Sequence, residues 1–483
     1  MLRQSIIESP LKTPPLPDPP PLLTDSERRY IDEYTLEMRR GKERPGQGMP
    51  LNVRARRVVE GANRRAWYAS LFQLLNNEPV CERIPIEELE SIFILPIGDA
   101  IGDMVVALPL FQAIERHNPL CRVGTLVSPR SRGLLLHDSS VGNKYIFREK
   151  FDMLHYPQLF RARKDGYRVV INMHLTRMTE FGVISNIIGG NGVKVSSSHA
   201  RNDMYRQLFN MLLPYDRNSM HLSQLGLLMM ESVIDFGKPL QQWESHPVLR
   251  INETERANVR MSIRAELDRL DADWFVHFNP QARNPTREWG FDNAFAFAER
   301  FVEQYPRGAL FFTASPVHRA EVERRIARLK IPRVTFFPTS YNVLELAAIS
   351  AESELVITPD TSVIHFGTAS GKPTLVLWPD PEFLPMEWIP LQVPSINLAP
   401  EEIGMLVPTI SVETVWQAAR KLLDKEWIWS ATSYGLSPEA DPLYQAANRN
   451  KPLEDLVMTS SVPRIFPEGS PISVPLAELT AFR

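Results

Sequence analysis

The alternation of apolar and polar positions changes character near residue 91. From there, short unbroken apolar runs alternate with stretches whose apolar residues recur every three to four positions. An unbroken run bounded by turn residues predicts a strand buried on both faces, and the 3.6-residue recurrence predicts an amphipathic helix. IFIL (92–95) reads as a strand and MVVALPLFQAIERH as the helix after it. VGTLV and YRVVINMHL (167–175) read as further strands, and FGVISNIIGG as a helix ending at glycine. The stretch GKPLQQWESHPVLRI (237–251) breaks the rhythm and reads as an interdomain connection. The alternation then restarts. WFVHFNP, ALFFTA, VTFF, ELVIT and TLVLW predict strands, while FDNAFAFAERFVEQY, AEVERRIARLK, VLELAAISA and VETVWQAARKLLDKEW predict helices. Such βαβ alternation implies parallel sheets. The fold class is therefore α/β, with two doubly wound domains in series over residues 91–240 and 245–430.

The two ends of the chain read differently. Residues 1–90 form an extension in which residues 10–22, PLKTPPLPDPPPL, read as an extended segment because proline fixes φ and donates no hydrogen bond. A polar helical stretch follows, then Arg54, Arg56, Arg57, Arg64 and Arg65 ahead of WYASLFQLL. Those arginines suit a solvated helix face; the sharper alternative is a basic patch that meets anionic lipid headgroups or an anionic acceptor. Residues 431–483 are a proline-rich irregular tail.

Bulk composition removes several classes. A length of 483 residues exceeds one ordinary core, and a net charge of −3 gives no reason to expect a nucleic-acid partner. Two cysteines, Cys81 and Cys121, make neither a disulfide framework nor a zinc spacing. No apolar stretch approaches the ~20 residues that span a bilayer, and the N-terminus lacks the apolar core of a signal peptide. A cytoplasmic location is expected, with peripheral contact at the inner face of the cytoplasmic membrane left open by the basic extension.

Chemistry concentrates where strands run out. In open parallel sheets ligands bind beyond the carboxyl ends of the strands, near helix N-termini. In VITPDTSVIHFGTASGKP (356–373), Asp360 or Thr361 can cap a helix beginning near Ser362, whose exposed amides suit a phosphate. His365 lies one turn in, placed to donate to a phosphate oxygen or a sugar hydroxyl; a plain capped helix with a satisfied histidine is the simpler account. In IFILPIGDAIGDMVVALP the strand turns through Gly98 and Gly102, and Asp103 sits at the helix start. Either aspartate of that turn, Asp99 or Asp103, can be an N-cap, and Asp103 can also act as a general base. The helix dipole lowers its resting pKa, so its base strength would come from position. A third loop, NPQARNPTREWG (279–290), carries Arg283 and Arg287, whose guanidiniums suit phosphate. Asp271-Ala272-Asp273 fits a short metal-binding pattern, but it precedes a strand, at the end away from the cleft.

These three stretches resemble glycosyltransferase family 9, the bacterial ADP-heptose lipopolysaccharide heptosyltransferases and their relatives. IGDMVVALPLFQAIERHNP is similar to the family's Gly-Asp turn and helix, PDTSVIHFGTASGKP to its Asp-Thr-x-x-x-His signature, and Arg287-Glu288-Trp289 to its Lys-x-Trp loop. The likeness covers roughly residues 91–428. It implies the GT-B architecture, two Rossmann-like domains facing a cleft, with inversion at the anomeric carbon and no catalytic metal or cofactor beyond a nucleotide-sugar donor. By this resemblance Asp103 is the base for an acceptor hydroxyl, and Gly102 belongs to the same turn. Arg287 stands for the diphosphate-binding lysine. Thr361 and Ser362 offer amides to the diphosphate, while Asp360 and His365 hold the sugar. Ser362 replaces a glycine, and His318 stands where the family places a glutamate for the ribose. ADP-heptose is the leading donor, and a glycan or lipid-linked glycan the implied acceptor, in polysaccharide or lipopolysaccharide synthesis. Two alternatives stand beside this: a non-catalytic nucleotide-sugar-binding scaffold, and a transferase acting on a protein side chain.

Overall fold

The computed structural model describes residues 75, 77–80, 82–147, 156–175, 178–198, 207–214, 220–282, 284–315, 318–337, 342–379, 387–400 and 406–424. The basic N-terminal patch, the C-terminal tail and Arg283 lie outside the described residues.

Two six-stranded sheets organise the chain. The first contains β1 (Ser91–Leu95), β2 (Arg122–Val127), β3 (Asn143–Ile146), β4 (Val169–Asn172), β5 (Val193–Ser198) and β6 (Met211–Pro214). The second contains β7 (Trp274–Phe278), β8 (Gly308–Phe312), β9 (Val334–Phe336), β10 (Leu355–Pro359), β11 (Thr374–Leu377) and β12 (Ser395–Leu398). Their spatial orders are β3-β2-β1-β4-β5-β6 and β9-β8-β7-β10-β11-β12. Every pairing within both sheets is parallel. The order therefore reverses twice, between β1 and β4 and between β7 and β10, and each reversal opens a crevice at the strands' carboxyl ends. The α/β class follows from the residues themselves: every residue of β1, β8, β10 and β11 is buried, as strands covered on both faces require.

Helices cover those faces. The first lobe has α1 (Ile101–His117), α2 (Tyr156–Asp165), α3 (Met178–Gly189) and α4 (Leu222–Glu231). The second has α5 (Glu253–Leu270), α6 (Phe291–Gln304), α7 (Arg319–Leu329), α8 (Val343–Glu352), α9 (Ser362–Ala369) and α10 (Val412–Leu423). Apolar patterning did not point to β5, VKVSSS, because Ser196 and Ser197 are buried yet satisfied. The Asn172 amide donates to Ser196 Oγ at 3.2 Å, and Ser197 Oγ donates to the Leu213 carbonyl at 3.0 Å. The strand expected over 167–175 shortens to Val169–Asn172.

The lobes share a core. One apolar cluster runs from Ile92, Val105 and Leu110 of the first lobe into Leu344, Ala347, Val363 and Phe366 of the second. Polar clasps surround it. Gln112 Nε2 donates to the Val248 carbonyl at 2.6 Å, Arg250 pairs with Glu115, and His137 Nε2 meets Glu255 at 3.0 Å. A second cluster, rich in aromatics, fills the far lobe around Phe278, Trp289, Phe297, Phe301 and Phe312.

Candidate functional site

On the first lobe, β1 hands the chain to a turn that enters α1. Ser128 Oγ donates to the Asp99 carbonyl at 2.7 Å and fastens that turn to the end of β2. Ala100 is the N-cap, so neither aspartate occupies that position. Asp103 is the third helical residue, half-buried, and its Oδ2 accepts the Ala100 amide at 3.1 Å. That bond fixes the carboxylate at the helix start, where the dipole favours negative charge.

On the second lobe, the ends of β7 and β10 are stitched together. Asn279 Nδ2 lies 3.0 Å from the Gln281 carbonyl, 3.1 Å from Thr358 Oγ1 and 3.3 Å from Thr361 Oγ1. Thr361 caps α9, accepting the Val363 amide at 3.2 Å. The backbone amides of Thr361 and Ser362 meet no acceptor among the described residues, so they are open to an anion.

Arg287 ends a short 3-10 turn (Pro285–Arg287), two residues before Trp289. The Trp289 indole is fully buried and donates to the Ile410 carbonyl at 2.8 Å. Gly290 follows at φ 90°, a left-handed value that favours glycine, and turns the chain into α6. Arg287 Nη1 donates to Asp360 Oδ2 at 2.5 Å, with both side chains a little over a quarter exposed, at 28% and 27%. Burial pushes the Asp360 carboxyl above the usual range, and the Arg287 charge opposes that shift. Arg287 and Asp360, read separately in sequence, are thus one ion pair.

His365 is only 6% exposed, and burial lowers its pKa to about 4, so the ring is neutral at pH 7. Trp388 packs beside it at 5.9 Å between centroids. Gly102 lies against the ring's Cδ2 and Nε2 edge: a β-carbon placed there would sit 2.7 Å from His365 Cδ2 and 3.7 Å from the Ser362 Cα. The turn of one lobe and the helix start of the other therefore face each other at contact distance. His318 stands apart, half-buried just before α7 at the carboxyl end of β8, with no side-chain capping bond. Asp271 and Asp273 lie before β7, away from this place, and both are taken by Arg307. Among the described residues no group of three His, Cys, Asp or Glu side chains could hold a metal ion.

Sequence reasoning did not single out Asn279, Gln281, Trp388 or His221. Asn279 was visible as a polar residue closing a strand. Gln281 is 5% exposed, and both its amide atoms lack partners among the described residues. Nothing local marks it.

No protein-family model and no curated protein matches the sequence. Solved structures do match. A glycosyltransferase family 9 protein from Veillonella parvula DSM 2008 superposes with a TM-score of 0.57 at 19% identity, over 70% of this chain and 98% of that one. The fold is that of the family 9 glycosyltransferases. ADP-heptose LPS heptosyltransferase II from E. coli aligns with a TM-score of 0.54 at 14% identity, over 70% of this chain and 99% of its own. E. coli heptosyltransferase WaaC, solved with ADP, gives 0.54 at 12% identity, over 69% and 98%. These alignments take in nearly all of each neighbour and about 70% of this chain.

Proposed function

We propose that this chain moves a glycosyl group from a nucleotide-diphosphate sugar to a hydroxyl acceptor. The observation that supports this reading is the close approach of Gly102 to His365 and Ser362, which brings the turn that bears Asp103 beside the helix start whose Thr361 and Ser362 amides meet no acceptor among the described residues. In the reaction Asp103 takes the proton of the acceptor hydroxyl. That oxygen bonds to the anomeric carbon, the carbon's bond to the phosphate oxygen breaks, and the nucleoside diphosphate leaves with the electron pair. A single displacement of this kind inverts the anomeric centre. The growing negative charge falls on the Thr361 and Ser362 amides and on Arg287, a preorganised electrostatic term of the sort that dominates many enzymes. Arg287 is already paired with Asp360, so an arriving diphosphate competes for the guanidinium and releases Asp360 toward the sugar hydroxyls.

The likeness to heptosyltransferases favours an ADP-heptose-like donor and a glycan acceptor in lipopolysaccharide or related surface-polysaccharide synthesis. His318, where the family has glutamate, is the residue that would alter nucleotide preference. Metal-independent transfer, a cytoplasmic site of action and peripheral membrane contact through the N-terminal extension complete the proposal. Liposome flotation with and without residues 1–66 checks the last of these.

A second reading rests on the same ion pair. Since Asp360 already neutralises Arg287, a protein that binds nucleotide sugars without turning them over is the competing account. Thermal-shift screening against ADP-, UDP- and GDP-sugars tests binding. A ligand at a hundred times its Kd should stabilise by ~2.7 kcal/mol. Donor turnover, with Asp103→Asn as the control, then separates the two readings. Binding with no turnover, identical in the variant, refutes the transferase.

A further inference from the structure

Among the described residues, two buried donors at the start of α4 face no acceptor. His221, the residue before that helix, is 3% exposed, and its Nδ1 accepts the Ser223 amide at 3.1 Å. A ring nitrogen that accepts carries no proton. Burial, followed by the nearby His365 and His246, holds the ring's pKa at about 3, so it is neutral and its single proton sits on Nε2. That Nε2 is fully shielded and unpartnered. Three residues on, Gln224 Oε1 accepts the His221 amide at 3.0 Å, and Gln224 Nε2 is shielded and unpartnered too. Buried donors in native proteins are almost always paired, with protein or with ordered water.

His365, of the other lobe, is the first imidazole near His221. His365 is buried, makes no hydrogen bond among the described residues, and turns its Cδ2 and Nε2 edge toward Gly102. Its Nδ1 is thereby left on the remaining side of the ring. The start of α4 is tied to the strip that backs His365: the Leu222 amide donates to the Glu387 carbonyl at 3.2 Å, and Trp388 packs on the imidazole. His246, on the connector between the lobes, is the other imidazole near His221. It is drawn toward the Leu391 backbone without completing a hydrogen bond.

We infer that His221 is a positioning residue: its Nε2–H, through one buried water shared with Gln224, donates to Nδ1 of His365 and holds the His365 proton on Nε2, at the crevice wall beside Gly102. His365 then presents an N–H to the anionic donor at the meeting point of the lobes, oriented from the acceptor lobe. The substrate side of this inference rests on the glycosyl-transfer reading. The tautomer does not.

Two variants test it. His221→Asn keeps an oxygen for the Ser223 amide, since asparagine is itself a good N-cap, but removes the distal N–H. His221→Gln returns an N–H near the Nε2 position. In 15N-labelled protein without substrate, His365 Nδ1 should resonate as an unprotonated, hydrogen-bonded nitrogen. That resonance should move in His221→Asn and return toward its original position in His221→Gln, while melting of the asparagine variant stays at the wild-type temperature. In turnover, His221→Asn should lower kcat by roughly tenfold with donor KM within about twofold, as misorientation of a contacting group does. An unmoved His365 resonance in both variants, or a shift at His246 in its place, overturns the assignment whether or not sugar is transferred. A His365 shift in a protein whose wild type shows no transfer would sink the glycosyl-transfer reading and leave the His221 contact standing.

Discussion

Gly102→Ala is the most direct probe of the meeting point between the lobes. The added methyl carbon would lie 2.7 Å from His365 Cδ2 and 3.2 Å from its Nε2. Carbon contacts are most favourable at ~3.5–4.0 Å, so the ring must retreat by about 1 Å. His365 has little room, being buried and backed by Trp388. Overpacking of this kind costs ~1–3 kcal/mol. Gly102 lies in the first turn of α1 at an ordinary φ, and alanine is the better helix former by ~0.8–1.0 kcal/mol. The two effects largely offset, so the variant should melt within a few degrees of wild type. Turnover should suffer far more, because a displacement of about 1 Å at a reacting site costs on the order of a hundredfold. The assay is steady-state transfer with donor varied, alongside thermal melts of both proteins. Adding His365→Ala completes a double-mutant cycle: if the clash is the cause, the losses are not additive. Wild-type kcat at an unchanged melting temperature would refute the contact's part in turnover.

Other outcomes follow from named contacts. Asp103→Asn keeps an oxygen for the Ala100 amide and so keeps the fold, yet should lower transfer by ~10²–10⁴-fold with donor binding intact, measured by calorimetry and rate. Arg287→Ala leaves the Asp360 carboxylate, already pushed up by burial, without the cation that opposes that shift. It should lose about 1–2 kcal/mol in urea unfolding and most donor affinity, while Arg287→Lys recovers the charge but not the bidentate geometry. Glu231 is buried and its pKa is raised to about 8, from burial first. Unfolded glutamate ionises near pH 4.5 and the folded group stays protonated, so its contribution to stability is intact below pH 4.5. Between there and pH 8 it is lost at about 1.4 kcal/mol per pH unit. Glu231→Gln should therefore flatten the stability profile over that window, and an unchanged profile by denaturant titration contradicts the assignment.

Much of the fold could be read from the chain because parallel strands are covered on both faces and so appear as unbroken apolar runs. SIFIL, GALFF and LVITP are such strands. VKVSSS escaped because buried serines with hydrogen-bond partners look polar in sequence while behaving as core. The loops that hold Asp103, Arg287 and Thr361 could be found because each follows a recognisable strand. Their partners could not. The Arg287–Asp360 pair joins residues 73 apart in sequence, and no local pattern says which two charges will meet. His221 was harder still: a histidine before LSQLGLLMME reads as the edge of an apolar helix, and the imidazole it is proposed to orient belongs to the opposite lobe.

Why the two lobes must act together follows from how the halves of the site are divided. Both sheets carry the same strand order, so each offers one crevice at its own point of reversal. The first lobe contributes a carboxylate anchored at a helix start; the second contributes main-chain amides and a guanidinium. In the proposed displacement the base and the anion cradle belong to different lobes, so it needs the pair. Lobes that meet only through a small polar surface move freely by default. Here Val363 and Phe366 of α9, the helix that follows Thr361, belong to the same buried cluster as Val105 of α1. The elements that carry the proposed chemistry are therefore those that weld the lobes. Opening this crevice exposes core side chains, so substrate entry and the stability of the fold draw on one apolar contact.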